Sequence, residues 1–183
     1  MQAPGPAEEA RLISADGRVS LRFPAGSTTG GTVIRYRGVP VATVHPPPSG
    51  FRLGSLAFLL DAVTITGESL TALPKPFDIT LRYQPADLTA GGDDVSSLFI
   101  GAYDAESARW LLLETRADPA TALLHASTRR LGQFALMIRS PLSPVPAAAP
   151  PAIGPAPLCL PVTAVALAAV GLLLLFVLRR RRA

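Results

Sequence analysis

Cysteine occurs once in the 183 residues, at Cys159, so no internal disulfide can form. Lysine also occurs once, at Lys75, and histidine only at His45 and His125. No His/Cys/Asp cluster stands at metal-ligand spacing, and no Ser–His–Asp or Cys–His set can be assembled. A long amphipathic helical pattern is missing as well. Scarce lysine beside abundant Arg, Ala and Pro points to a GC-rich, bacterial genome.

Charge excess is missing from most of the chain. The formal charge is +4, from 17 basic and 13 acidic residues. Arg179, Arg180, Arg181 and Arg182 supply the whole excess, and without them the body is neutral. A neutral body with interspersed signs carries no electrostatic footprint for nucleic acid.

A long hydrophobic run is present at one place. From Leu160 to Leu178 there is no charged residue, and the four arginines follow directly. At about 1.5 Å per residue this stretch spans roughly 28 Å, close to a bilayer's hydrocarbon core. The sequence therefore predicts a transmembrane helix over 159–178, with Pro161 in its first turn, where a missing N–H is harmless. The lipid bilayer is the first expected partner. The basic tail 179–183 is expected to stay cytoplasmic, which puts the N-terminal side outside. That orientation needs an export signal, and Met1–Ala10 has neither a basic start nor an apolar run. A cytosolic tail-anchored scaffold is the alternative location.

Within this tail, Leu160-Pro161-Val162-Thr163-Ala164 resembles a sortase sorting signal, the LPxTG pattern with Ala in the last place. The pentapeptide, the apolar span and the basic tail stand in the order such signals use. The resemblance implies cutting after Thr163 and covalent attachment to the cell envelope. Cys159 could carry a lipid at the interface.

Residues 140–158 are uncharged and dense in proline. They cannot sustain a helix and are expected to form an extended linker. At about 3.1 Å per residue it reaches on the order of 50 Å.

Residues 11–139 read as short alternating runs split by turn signals, after an N-terminus (1–10) expected to lack structure. Phe77, Ile79, Leu81 and Tyr83 alternate with Asp78, Thr80 and Arg82. Similar runs cover 18–23, with Val19, Leu21 and Phe23 on one face and Arg18, Ser20 and Arg22 on the other, and 32–37, 51–58, 62–66, 97–103, 109–114, 122–128 and 133–138, of which 51–58 and 62–66 read as one bent strand or two. About eight strands at this spacing predict an all-β fold, an antiparallel β-sandwich.

Four of these strings resemble segments of the ZU-five-like β-sandwich domains, which occur in ankyrins, netrin receptors, tight-junction scaffolds and, more loosely, bacterial surface proteins. They are Asp16–Gly26, Pro74–Tyr83, Arg109–Leu113 and Gln133–Leu136. They stand in the family's order across 12–138. Some members cut themselves at a His-Phe-Ser motif before the final strand. The resemblance puts Arg130-Leu131-Gly132 there. Gly132 has no hydroxyl and Arg130 cannot act as a base, so self-cleavage is not expected.

Three other features invite chemistry. Asp93 and Asp94 could hold a calcium ion with Asp87 and Asp104, but a solvated loop tip is the preferred reading and no metal is expected. Tyr103 and Trp110 could stack on a sugar, or pack in the core. Gly26–Gly31 has no following lysine or helix and reads as a turn rather than a phosphate loop. No catalytic residue and no cofactor is expected. The leading expectation is a non-catalytic, surface-displayed sandwich with a structural or adhesive role toward an unknown protein or glycan ligand. A sortase-attached envelope protein, or a tethered carbohydrate binder or hydrolase using the loops around 84–107, are the alternatives.

Overall fold

The computed structural model describes residues 9–28 and 31–140. The expected membrane helix, the linker beyond Ser140, the sorting-like pentapeptide and the four terminal arginines lie outside them. Among the described residues no helix is long and apolar enough to cross a membrane.

The described residues form eleven strands: β1 (Ala10–Ile13), β2 (Val19–Phe23), β3 (Val33–Gly38), β4 (Phe51–Val63), β5 (Ser69–Leu70), β6 (Ala72–Arg82), β7 (Leu98–Asp104), β8 (Arg109–Leu112), β9 (Arg116–Asp118), β10 (Leu123–Arg130) and β11 (Gly132–Arg139). They build two antiparallel sheets. Sheet A has the order β1-β2-β6-β10-β9, and sheet B the order β3-β4-β11-β7-β8 with β5 also on β4. The two runs at 51–58 and 62–66 fuse into the single strand β4, and its polar end Thr64–Glu68 becomes a turn closed by the Glu68 carbonyl and the Thr64 N–H. β1 opens at Ala10, one residue inside the stretch expected to lack structure. β1, β5 and β9 have four, two and three residues, too short for their alternation to stand out in the sequence.

The period-2 pattern determines which side chains meet between the sheets. Phe77, Ile79 and Leu81 of β6 are fully buried, as is Leu21 of β2, while Arg22, Asp78 and Arg82 are exposed. Sheet B contributes Phe58, Leu60, Ile100, Phe134 and Leu136. Aromatic rings thread the core from one sheet to the other. Phe23 meets Phe77 at 5.2 Å, Phe77 meets Phe134 edge-on at 6.5 Å, and Phe134 stacks on Phe58 at 5.1 Å. Tyr36 continues the line, 5.4 Å from Phe58. Burial pushes its phenol pKa up, and the Asp16 carboxylate adds to the shift.

The outer face of sheet B is apolar and covered over β4, β11 and β7 around Ala57, Ala135 and Met137. Residues 39–50, with Pro40 and Pro46–Pro48, fold back as a strap over Ala57, Ala135 and Met137, and Val39, Val41 and Val44 join this second cluster. The Val39 N–H donates to the Ala57 carbonyl, and the Trp110 indole N–H donates to the carbonyls of His45 (3.3 Å) and Pro46 (3.0 Å). The His45 ring stacks flat on Tyr103 at 3.8 Å. β11 is consequently buried on both faces from Phe134 to Ile138.

A bulge in β4 governs one end of the sandwich. Ala57 pairs with Ala135 but Leu53 pairs with Met137, so β4 carries two extra residues across Gly54–Leu56. The backbone there lies against Leu136 and Asp87. A Cβ on Gly54 would sit 2.6 Å from the Leu136 side chain and 3.1 Å from an Asp87 oxygen, so no larger residue fits without movement.

Candidate functional site

Three places gather polar side chains. The first is the clasp at the β4 bulge. Gln84-Pro85-Ala86-Asp87 starts a short helix, α1 (Pro85–Ala90), with proline in the first turn. Asp87 sits at the third helical position and accepts from the Gln84 N–H at 2.9 Å, half of a capping box. It also accepts from the Ser55 N–H and the Ser55 hydroxyl, both at 2.7 Å. Arg18, at the mouth of β2, donates to Ser55 Oγ at 2.7 Å and lies 3.8 Å from the Asp87 carboxylate. Asp87 is only 3 % exposed. The clasp thus joins sheet A, sheet B and α1, and all its acceptor oxygens on Asp87 are turned inward to protein donors. Arg18 therefore leaves the exposed face expected for it beside Ser20 and Arg22.

The second place is the outer face of sheet A, open and polar. A groove of about 880 Å³ runs over it, lined by Arg11, Arg22, Asp78, Thr80, Arg116 and His125 among others. Register places these groups in rows: Arg11, Arg22, Asp78 and Ser127 are successive cross-strand neighbours, as are Ser20, Thr80, His125 and Arg116. Thr80 Oγ1 lies 3.2 Å from His125 Nδ1, and Arg22 grips Glu9 at 2.7 and 2.9 Å. That ion pair holds the Glu9 carboxyl below its ordinary range. Ser127 stands two residues from His125, roughly 7 Å along the strand, and its hydroxyl donates to the Phe77 carbonyl. These two do not form a nucleophile–base pair. The face offers charges of both signs and hydroxyls for recognition, without an aromatic platform.

The third place is the far end of the sandwich, where β10 turns into β11. Arg130 pairs with Asp104 at 3.2 Å. Gly132 follows Leu131 with φ +119, a conformation that L residues avoid. The segment that the family resemblance places at a cleavage motif is here a tight turn built on a glycine.

The remaining sequence candidates fall as follows. Asp94 caps a short 3-10 turn by accepting from the Ser96 N–H at 2.8 Å, and Asp93 has φ +60 beside it. Asp87 is committed to the clasp and Asp104 to Ser107 and Arg130. The proposed calcium carboxylates are thus not brought together, and among the described residues no group of three or more His, Cys, Asp or Glu is placed to hold a metal. Trp110 is 8 % exposed and bound to the strap, so it packs rather than presents a sugar-stacking face. The loops around 84–107 do not form one patch, because the seven-residue strand β7 separates 84–97 from 104–107 by roughly 23 Å. The clasp itself was missed by the sequence reading; its signal was the capping-box string Gln84–Asp87.

Turn aspartates are expected to make the fold's stability depend on pH in the acid range. Hydrogen bonds from Ser14, Ser96, Ser107 and Thr121 hold the carboxyls of Asp16, Asp94, Asp104 and Asp118 below their ordinary range, with neighbouring backbone N–H groups adding to each shift. A carboxyl with a depressed folded pKa binds protons more weakly than in the unfolded chain. Its stabilisation is present above the unfolded value of about 3.9 and is lost as pH falls through the folded value. Thermal melting followed from pH 7 to 2 is expected to show a flat midpoint down to about pH 4 and a steady fall below it. A midpoint that rises on acidification contradicts this assignment.

No protein-family model matches the chain, and no curated protein matches it.

Proposed function

We propose that this chain is a non-catalytic module, anchored in a membrane by its C-terminal segment, that displays its β-sandwich on the outer side for a structural or adhesive role. The observation that supports this reading is how the chain leaves the fold. β11, flanked by β4 and β7, runs to Arg139, and the Ser140 N–H is tied to the Gly50 carbonyl. The uncharged, proline-dense sequence follows at once, then the apolar run Leu160–Leu178 and Arg179–Arg182. Such an order fits a folded head, a spacer and a stop-transfer anchor. The open polar face of sheet A is a broad surface for a protein or glycan ligand.

Protease treatment of intact cells carrying the native gene tests this, with mass analysis of the C-terminal fragment left behind. Removal of the head from intact cells is the expected result. Head material ending at Thr163 places the chain among covalently attached envelope proteins; an intact 160–183 tail identifies a simple helical anchor. Protection of the head until lysis overturns the display reading in favour of a cytosolic, tail-anchored scaffold.

A further inference from the structure

The longest uncovered edge strand in the described fold is β3, and it borders a groove. β3 pairs only with β4, over all six residues from Val33 to Gly38. The other edges, β1, β5, β8 and β9, have four, two, four and three residues. In an antiparallel pair alternate residues turn their N–H and C=O groups away from the partner. Along β3 those groups face the open side. β1, the edge of sheet A, lies across from it. Between them is a groove of about 670 Å³ whose lining includes Ile13, Val33, Arg35, Tyr36 and Arg37.

Side chains on this rim break the pattern of the rest of the surface. Four large hydrophobic residues are exposed among the described residues, and two of them, Ile13 (54 %) and Val33 (37 %), stand here. Val33, Arg35 and Arg37 share one face of β3, with Ile34 and Tyr36 turned toward the core. Among the described residues the side chains of Arg35 and Arg37 make no ion pair within 4.0 Å and no hydrogen bond, and the single acidic lining residue is Asp61. The site therefore combines unpaired main-chain groups, an apolar contact at one end and two guanidinium groups, of which Arg35 has Asp61 directly across the ladder and Arg37 has only Leu59.

We propose that the seam between β1 and β3 takes an extended acidic peptide segment, which adds to β3 as a further antiparallel strand. Main-chain hydrogen bonds to the β3 edge supply the pairing, and cross-strand neighbours supply selectivity. Opposite Arg37, Arg35 and Val33, in that order, the incoming segment carries carboxylate, carboxylate and apolar side chains at alternate positions. A second copy of this chain is a poor occupant. Antiparallel pairing of two β3 edges centred on Arg35 sets Arg35 against itself, and centring on Tyr36 sets Arg35 against Arg37; like charges directly opposite are destabilising. The partner is thus a different, acidic polypeptide, which deepens the adhesive reading above by naming a partner class and a docking edge.

The test is fluorescence anisotropy of a dye-labelled peptide, Thr-Glu-Thr-Glu-Thr-Val-Thr, titrated with the full-length chain in detergent micelles. Saturable binding at micromolar concentration is expected. N-methylation of the peptide amides on one edge blocks the main-chain bonds but keeps every charge, and is expected to weaken binding by about tenfold or more. The double variant Arg35→Glu/Arg37→Glu, exposed and outside the core, is expected to weaken it by a similar factor, on the order of tenfold. Arg82→Glu on sheet A is expected to change nothing. Equal affinity for the N-methylated peptide, equal affinity of the Arg35→Glu/Arg37→Glu variant, or no binding at millimolar protein overturns the proposal. Shaving of intact cells reads only where the head sits, so the two readings fail separately.

Discussion

Replacing Asp87 by alanine is expected to lower the unfolding free energy by about 3–5 kcal/mol, the range seen when one partner of a buried charge pair is removed. Three donors converge on this carboxylate, the Ser55 and Gln84 N–H groups and the Ser55 hydroxyl. Truncation leaves all three facing a cavity. Arg18, already holding a buried Nε without a partner, loses its only nearby counter-charge in the clasp. Each orphaned buried donor costs roughly 1–3 kcal/mol. Asp87→Asn keeps one acceptor oxygen and the shape, so a smaller loss, on the order of 1–2 kcal/mol, is expected for it. Denaturant titration followed by the emission of the single tryptophan, Trp110, measures both. A loss below about 1 kcal/mol for Asp87→Ala shows that the clasp does not hold the two sheets and α1 together.

Phe134→Ala is the second substitution expected to act strongly, costing about 3–5 kcal/mol. Phe134 is fully buried at the crossing of the aromatic line, stacked on Phe58 and edge-on to Phe77. It sits on β11, which is paired with β4 on one side and β7 on the other. The surrounding backbone is pinned by two ladders and cannot collapse into the vacated space, so both the transfer and the cavity contributions are felt. Phe134→Leu retains most of the volume and is expected to cost less than half as much, at roughly 1–1.5 kcal/mol. Calorimetric midpoints for the two variants decide the matter; similar losses for Ala and Leu would show that ring packing, not cavity volume, dominates at this site.

The sheet faces were legible where one side of a strand meets water. Phe77–Tyr83 alternates cleanly because β6 has the core on one side and the open face of sheet A on the other. β11 carries Phe-Ala-Leu-Met-Ile without a polar break, a run that says both faces are covered. Read only as alternation, it hid the strap. The strap itself, residues 39–50, reads as a proline-marked loop, and nothing local tells that His45 will lie on Tyr103 or that Trp110 will bind the carbonyls beside it. Those contacts join positions more than fifty residues apart, beyond any window of periodicity. Arg18 was assigned outward by counting along its strand, but it precedes the first paired residue of β2 and is free to turn toward Ser55. The three short strands were invisible for a simpler reason: two to four residues give no measurable period.

The route by which β11 leaves the sandwich has a mechanical consequence. A pull on the chain beyond Ser140 acts along β11, whose ladders with β4 and β7 run on both sides, the first from Gly132 to Arg139 and the second from Phe134 to Ile138. Tension in that direction loads those hydrogen bonds together, in shear, instead of peeling them one by one. At the point of entry of the load, Arg139 lies over the rings of Phe99 (4.7 Å) and Phe51 (5.8 Å). A pull at the other end meets β1, a four-residue edge strand held by β2 alone, and unzips it. The fold is stiff toward a pull from beyond Ser140 and yielding toward one from its N-terminal side, so under force the first element to give way is the strand that walls one side of the β1–β3 groove.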